Sequence, residues 1–428
     1  MKKYQLLVYI CLSSFFLNAS NHDLVGYWHN WNDVNAPYIQ LDQVDSRYTV
    51  IELAFATPVS TTDMTMQFSP TMVSAPTLLT QIQTLQSLGK KVLISVGGAT
   101  STIDLSTTAN KSAFITSMTA IINQYGLDGL DLDIESGASI LASGSVLSPS
   151  ATAQINLIDA VKQIMQTYRI TYNKKLFLTM APETAYVQGG MSSYGGIWGG
   201  YLPIIHALRD SLDILQVQLY NSGSMLGVDN NVYNSGTADF ISAMTEAVIV
   251  GFNTSGGFFF GLPASKVAVS LPACTSAAGS GYIVPSVVKQ AIDYVRGMGP
   301  NPGSYIMTSS LGYADLRGMM TWSINWDAVS SCNGFYSYAD NYQIIFGTPT
   351  AIEASAYNHI TCYPNPFQNQ LIVRNENETT TLHLFNYFGQ EVSSYQLSKG
   401  TQTISTTHLP NGIYHLKTGS WNASFVKQ

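Results

Sequence analysis

Charge is scarce in this chain. Only 11% of its 428 residues are Asp, Glu, Lys or Arg, and the 19 basic residues are outnumbered by 26 acidic ones. No basic run appears anywhere, which argues against a nucleic-acid partner, because phosphate recognition needs clustered Lys and Arg. Cysteine is scarcer still, limited to Cys11, Cys274, Cys332 and Cys362. Cys11 lies in the leader described next, so three remain, an odd number that allows one bridge at most. Apolar runs long enough to cross a bilayer are missing as well. The stretch from Leu6 to Leu17 is too short for that; with Lys2 and Lys3 before it and Asn18-Ala19-Ser20 after it, residues 1–20 have the layout of a secretory signal peptide. No stable membrane insertion is expected.

Eight short apolar runs are present, at 24–28, 49–55, 91–96, 129–135, 176–181, 213–220, 267–272 and 317–322. Between several of them lie stretches of helical periodicity, such as Pro76–Leu88, Lys111–Tyr125 and Ala153–Tyr168. This alternation predicts an α/β fold, a (β/α)8 TIM barrel over residues 21–345. A doubly wound sheet would need a glycine-rich phosphate loop after an early strand, and Ser95-Val96-Gly97-Gly98 fits that fingerprint poorly. In a barrel, chemistry gathers at the carboxyl ends of the strands. There Glu135, Tyr220-Asn221 and Trp322 close their runs, and Gln216, Gln218 and Tyr220 share one strand face. Met180 ends one face of the fifth run and is expected to point to the axis too.

Residues 128–135 read Asp-Gly-Leu-Asp-Leu-Asp-Ile-Glu. A strand repeats every two residues, so Asp131, Asp133 and Glu135 share one face while Leu132 and Ile134 share the other. Three carboxyls gathered on a half-buried strand repel one another, and such a cluster persists where one acid must stay protonated near neutral pH. A calcium loop also alternates acids, but the glycine after Asp131 falls at the seventh position rather than the sixth, and the intervening residues are apolar. A solvated edge strand does not suit a segment bearing Leu127, Leu130, Leu132 and Ile134. The pattern points to acid–base chemistry, with no metal or organic cofactor expected.

The Asp128–Glu135 segment resembles the catalytic signature of glycoside hydrolase family 18, the chitinases and their relatives. Ser95-Val96-Gly97-Gly98 is similar to that family's third-strand motif. Leu178–Glu183, Gln218–Asn221 and Met320–Asp327 are similar to its fifth-, sixth- and eighth-strand motifs, and Gly26-Tyr27-Trp28-His29-Asn30-Trp31 resembles its first strand in bacterial chitinases.

The resemblance implies retaining hydrolysis of β-1,4-linked N-acetylglucosamine polymers, in which the substrate's own acetamide attacks the anomeric carbon to give an oxazolinium intermediate. It implies Glu135 as the proton donor, Asp133 as the partner of the acetamido N–H, Asp131 as the acid sharing a proton with Asp133, and Tyr220 as the donor to the acetamido oxygen. Trp322 is then the floor of the sugar site, Met180, Gln218 and Asn221 line it, and Tyr27 and Phe55 are candidate walls. Trp28, Trp31, Trp198 and Trp326 are candidates to extend the groove. The short connection 273–316 leaves little room for a cleft-deepening insertion, so endo-type cutting of chitin or chitooligosaccharides is expected. The competing activities are an endo-β-N-acetylglucosaminidase acting on N-linked glycans, and a carbohydrate-binding lectin, which the presence of Glu135 disfavours. Cys274 and Cys332 follow adjacent strands, so they can be bridged above the rim with Cys362 free, or stay reduced.

Past residue 345 helical periodicity disappears. After a linker at 346–360, short alternating runs at 370–374, 381–386, 391–397, 401–405 and 412–417, with turns at Phe388-Gly389, Lys399-Gly400 and Asn411-Gly412, predict a small all-β sandwich over 361–428. Tyr363–Phe367, Asn386–Gly389 and Leu409–Tyr414 resemble the sorting domain that type IX secretion recognises and commonly removes. The resemblance implies the type IX secretion machinery as a partner and a secreted or cell-surface location. A carbohydrate-binding sandwich would usually show exposed tryptophans, and Trp421 is the only one available.

Overall fold

The protein's computed structural model describes residues 22–347, 360–375, 379–386, 390–418 and 421–428, with the backbone alone at 360–361 and 421–424. The expected signal peptide, most of the expected linker, the Phe388-Gly389 turn and the Trp421 side chain lie outside the described residues. The chain separates into two compact units that meet in sequence between Gly347 and Thr348.

In the first unit eight parallel strands form one sheet: β1 (Asp23–His29), β2 (Val50–Pro58), β3 (Lys91–Gly97), β4 (Gly129–Asp133), β5 (Phe177–Met180), β6 (Ile214–Leu215), β7 (Ala268–Pro272) and β8 (Gly318–Trp322). Their order is β7-β8-β1-β2-β3-β4-β5-β6, and single parallel bridges from Leu215 to Val267 and from Gln218 to Ser270 join the two ends. The eight expected runs are therefore the eight strands of a nearly closed barrel. The sixth differs in extent: only Ile214 and Leu215 form a regular ladder. Beyond them the backbone stays extended, with Gln216 N–H donating to the Met180 carbonyl and Gln218 N–H to the Pro182 carbonyl, each at 2.9 Å.

Helices α1 (Ala75–Ser87), α2 (Thr108–Tyr125), α3 (Thr152–Tyr172), α4 (Leu202–Leu208), α5 (Ala238–Val250) and α6 (Pro285–Val295) lie between successive strands from β2 onward. The sequence sets their ends. Thr107 caps α2 by accepting from Asn110 N–H at 3.1 Å, a contact worth about 1 kcal/mol. Gly126 ends the same helix in the left-handed region at φ 60°. Leu130, Leu132 and Ile134 are buried against this helical layer, in one core with Phe114, Met118 and Leu157. A second, smaller core fills the barrel itself and includes Val25, Tyr27, Val50, Leu93, Ala181 and Met320. Two short helices, α7 (Ile324–Asp327) and α8 (Ser337–Phe346), end the unit.

In the second unit β9 (Ile360–Tyr363), β10 (Gln370–Asn375) and β13 (Gly400–Ser405) form one antiparallel sheet. β11 (Thr380–Asn386), β12 (Glu391–Leu397), β14 (Gly412–Thr418) and β15 (Trp421–Lys427) form another. Alternate residues of neighbouring strands, Leu371 and Val373, Leu382 and Leu384, Tyr414 and Leu416, supply its core, as a sandwich with one buried face per sheet requires. Cys362 stands free there, and burial pushes its thiol up to about 12.

Among the described residues no helix is long and apolar enough to cross a membrane, and no group of His, Cys, Asp and Glu side chains could hold a metal ion.

Candidate active site

Strand register brings the acids to one end of the barrel. Gly97 pairs with Asp133, and Asp131 pairs with Ser95 on one side and Thr179 on the other. Two glycines after β3 make room. A Cβ on Gly97, at φ 113°, would lie 2.2 Å from the Asp133 carbonyl oxygen, and one on Gly98, at φ 75°, would lie 2.8 Å from the Phe55 ring. The Ser-Val-Gly-Gly segment is thus required by close approach to the acid strand and to the aromatic wall.

Asp131 is completely buried, Asp133 is 3% exposed and Glu135 is partly exposed, so the three acids run from the barrel interior to its mouth. Asp131 accepts from Tyr27 Oη at 2.7 Å, Ser95 Oγ at 2.6 Å and Thr179 Oγ1 at 2.6 Å. Gln218 Nε2 lies 2.8 Å from Asp133 Oδ1, 3.2 Å from Glu135 Oε1 and 3.0 Å from the Ala181 carbonyl. Asp133 and Glu135 are also within hydrogen-bonding reach of each other. Burial pushes both carboxyls up, Asp133 well above its ordinary range, with the charges of Glu135 and Asp131 adding to the effect at Asp133. A proton therefore stays with this pair to higher pH than on a free carboxylate.

A cleft of about 510 Å³ opens over the acids, lined by Asp133, Glu135, Gln218, Tyr220, Asn221, Phe55, Trp31 and Trp322 among others. Phe55 and Trp322 are near-parallel, 5.8 Å between ring centroids at 12°, and Trp31 lies 6.4 Å from Trp322. His29 stacks behind Trp31 at 4.5 Å, and burial pushes its imidazole down to about 4, so it is neutral at pH 7. The Tyr220 hydroxyl makes no hydrogen bond among the described residues, whereas Asn221 Oδ1 accepts from Ser280 N–H at 3.2 Å. Among the described residues the connection between β7 and β8 contains α6 and no strand, and Cys274 within it is bridged to Cys332.

Eight of the ten sequence-selected residues meet at this site or directly on it, and two are placed differently. Met180 does not line the cleft. Its neighbours Thr179 and Ala181 face the barrel interior, so the period of two turns Met180 outward into the core beneath the helices. Tyr27 is not a wall. It lies below the cleft, where its phenol serves Asp131 and its ring supports Phe55 and Trp322 at 5.8 and 5.5 Å. Of the four candidate groove tryptophans, Trp31 lines the cleft and Trp198 is 39% exposed, while Trp28 is buried and donates to the Ile39 carbonyl at 2.8 Å, and Trp326 packs on the core.

Sequence reasoning missed Glu52, a fully buried acid on the inner face of β2. Its signal was present, since it is the one charged residue in the run Val50–Ala56. Glu183, in the fifth-strand motif, is also half-buried near the site; burial and the Glu135 charge push its carboxyl up.

Residues 23–363 match the model of the glycosyl hydrolases family 18, and residues 361–428 that of the secretion system C-terminal sorting domain. The chain is 44% identical over 314 residues to chitinase Chi52 of Paenibacillus xylanexedens, a match covering 72% of this chain and 59% of that protein. It is 36% identical to chitinase ChiA of Flavobacterium johnsoniae over 406 residues, 89% of this chain and 25% of the relative. Among solved structures, a family GH18 chitinase from Chromobacterium violaceum superposes with a TM-score of 0.68 at 34% identity, over 76% of this chain and 84% of the other. The chain thus spans under two thirds of the length of these two curated relatives. With the acid signature on the fourth strand of a (β/α)8 barrel and a family match over most of its length, the chain belongs to glycosyl hydrolase family 18, and it carries a secretion system C-terminal sorting domain after the barrel in sequence.

Proposed function

We propose that the protein is a secreted chitinase that hydrolyses β-1,4 linkages between N-acetylglucosamine units with retention of configuration, the substrate's acetamide acting as nucleophile. The observation that carries this reading is the grouping of Glu135, Asp133 and a Tyr220 hydroxyl without a hydrogen-bond partner among the described residues in one aromatic-floored cleft. Glu135, raised by burial and reaching the cleft, donates its proton to the leaving glycosidic oxygen and later activates water. Asp133 accepts from the acetamido N–H and stabilises the oxazolinium charge. The Tyr220 hydroxyl donates to the acetamido oxygen and aims it at the anomeric carbon. Trp322 offers an apolar face for the sugar ring. Asp131, held by three donors, is the buried anion beneath Asp133.

The strandless β7–β8 connection supports an open groove and endo-type cutting. The N-terminal signal layout and the sorting domain support export by the type IX machinery to the cell surface or beyond.

The test is incubation of the purified protein with chitohexaose and, in parallel, a high-mannose glycoprotein, reading products by mass and the initial anomer by NMR. Internal cleavage of chitohexaose to short, initially β products is expected. Glycan release alone would reassign the protein as an endo-β-N-acetylglucosaminidase. Initially α products would exclude the acetamide mechanism, and binding without any product would leave a lectin.

A further inference from the structure

The barrel interior below Asp131 holds a fourth carboxyl that the proposed reaction does not use. Glu52 Oε1 lies 2.8 Å from Thr179 Oγ1, which is itself 2.6 Å from Asp131 Oδ1. A hydroxyl has one proton and cannot donate to both acids. Were both ionised, one of these short contacts would set oxygen lone pairs against each other in a buried site where such conflict is costly. One proton held by the pair removes the conflict: the protonated acid donates to Thr179, and Thr179 donates to the other carboxylate. Asp131 is the better furnished anion, since Tyr27 and Ser95 donate to it as well. Glu52 has Gln216 Nε2 at 2.7 and 2.9 Å from its two oxygens. Among the described residues, the titratable groups that feel the Glu52 charge are Tyr27 from β1, Asp131 and Asp133 from β4 and Tyr220 beyond β6, and none of these is a cation. Burial, followed by the Asp131 charge, holds the Glu52 carboxyl well above its ordinary range.

Resting on the substrate-assisted reading above, we propose that Glu52 is a positioning residue that stores one proton and passes it through Thr179 to Asp131 as Glu135 gives up its own. In that step the Glu52 Oε1–H bond breaks as Thr179 Oγ1 takes the proton, while the original Thr179 hydroxyl proton moves to Asp131 Oδ1. Nothing is oxidised or reduced. The negative charge passes from Asp131 to Glu52, farther from Asp133 and Glu135. Loss of the Glu135 proton adds an anion to the cluster, and moving the Asp131 charge away relieves the repulsion, leaving Asp133 anionic toward the oxazolinium. The relay runs back when water returns a proton to Glu135.

Glu52→Gln and Thr179→Val each cut the relay with little change in volume. Each is expected to lower kcat about tenfold, the equivalent of one pKa unit of like-charge relief, with KM unchanged. The double variant should be no worse than either single one, because both remove the same path, and Thr179→Ser should restore turnover. Independently of turnover, infrared difference spectra of the substrate-free protein at neutral pH should show the carbonyl stretch of a protonated carboxylic acid that Glu52→Gln abolishes. A missing band, an unaltered kcat in Glu52→Gln, or additive losses in the double variant would overturn the relay alone. A wild type inactive on N-acetylglucosamine polymers would overturn the hydrolase reading, and the relay with it, whatever the spectrum shows.

Discussion

Replacing Glu135 by Gln should make the protein nearly inactive and, at neutral pH, slightly more stable. The substitution removes the proposed proton donor but keeps an oxygen able to accept from Gln218 Nε2, which lies 3.2 Å from Glu135 Oε1. It leaves the Tyr186 hydroxyl bonded to the residue's backbone carbonyl at 2.7 Å. Local geometry is therefore retained while general-acid catalysis is lost, a loss of about 10²–10⁴ in kcat, or roughly 3–5 kcal/mol of barrier. The stability gain follows from the same burial. The folded state raises the Glu135 carboxyl above its ordinary value of 4.5, so folding takes up a proton there and this carboxyl costs stability as pH rises through the folded value. Gln cannot ionise and escapes that cost. Calorimetry at pH 8 should find the variant melting about 1–3 °C above the wild type, a difference that closes at about pH 4, where both residues are neutral. Initial rates on chitohexaose measured alongside complete the assay. Turnover within tenfold of wild type, or a variant less stable at pH 8 than at pH 4 relative to wild type, would refute the account of Glu135 as a buried acid held for proton donation.

The aromatic floor and the aiming hydroxyl should separate kinetically. Trp322→Ala, which removes the face near-parallel to Phe55, should raise KM about 3- to 10-fold, the worth of one lost stacking contact. Tyr220→Phe should instead lower kcat about 10- to 100-fold with KM within about twofold, because in the proposed mechanism the lost hydrogen bond serves the attacking acetamide; equal losses in both parameters would reduce Tyr220 to a plain substrate contact. Cys332→Ser opens a bridge whose ends are 58 residues apart in sequence, so chain entropy predicts about 4 kcal/mol of lost stability as an upper figure. Denaturant unfolding of wild type and variant measures this, and an unchanged midpoint would mean the bridge is not formed in solution.

Much of the architecture is periodic and therefore local. Alternation of two placed Asp131, Asp133 and Glu135 on one face and Leu132 and Ile134 on the other; the register of Asp131 and Asp133, the contacts of Gln218 with Asp133 and Glu135, and the burial of Leu132 and Ile134 beneath the helices bear this out. The same rule does not by itself say which face is inward in the fifth run: Thr179, whose hydroxyl is fixed inward by two buried acids, sets the parity that turns Met180 outward. Glu52 went unused because a lone acid in an apolar run has no pattern around it; its meaning lies in partners from β4, β5 and the segment after β6, far away in sequence.

The sequence by itself determined the alternating strands and helices, the acid strand and its facing, the aromatic and amide residues at strand ends, and the all-β character of the last segment. Each of these depends on side chains within one element and on the backbone period that orients them. Only the tertiary structure decided which acids come within reach of one another's partners, that Tyr27 supports Asp131 from below instead of lining the cleft, that Trp28 is core while Trp31 lines the cleft, and that Cys274 meets Cys332. These are matters of distances between elements separated by tens to hundreds of residues, which barrel closure sets and no local period encodes.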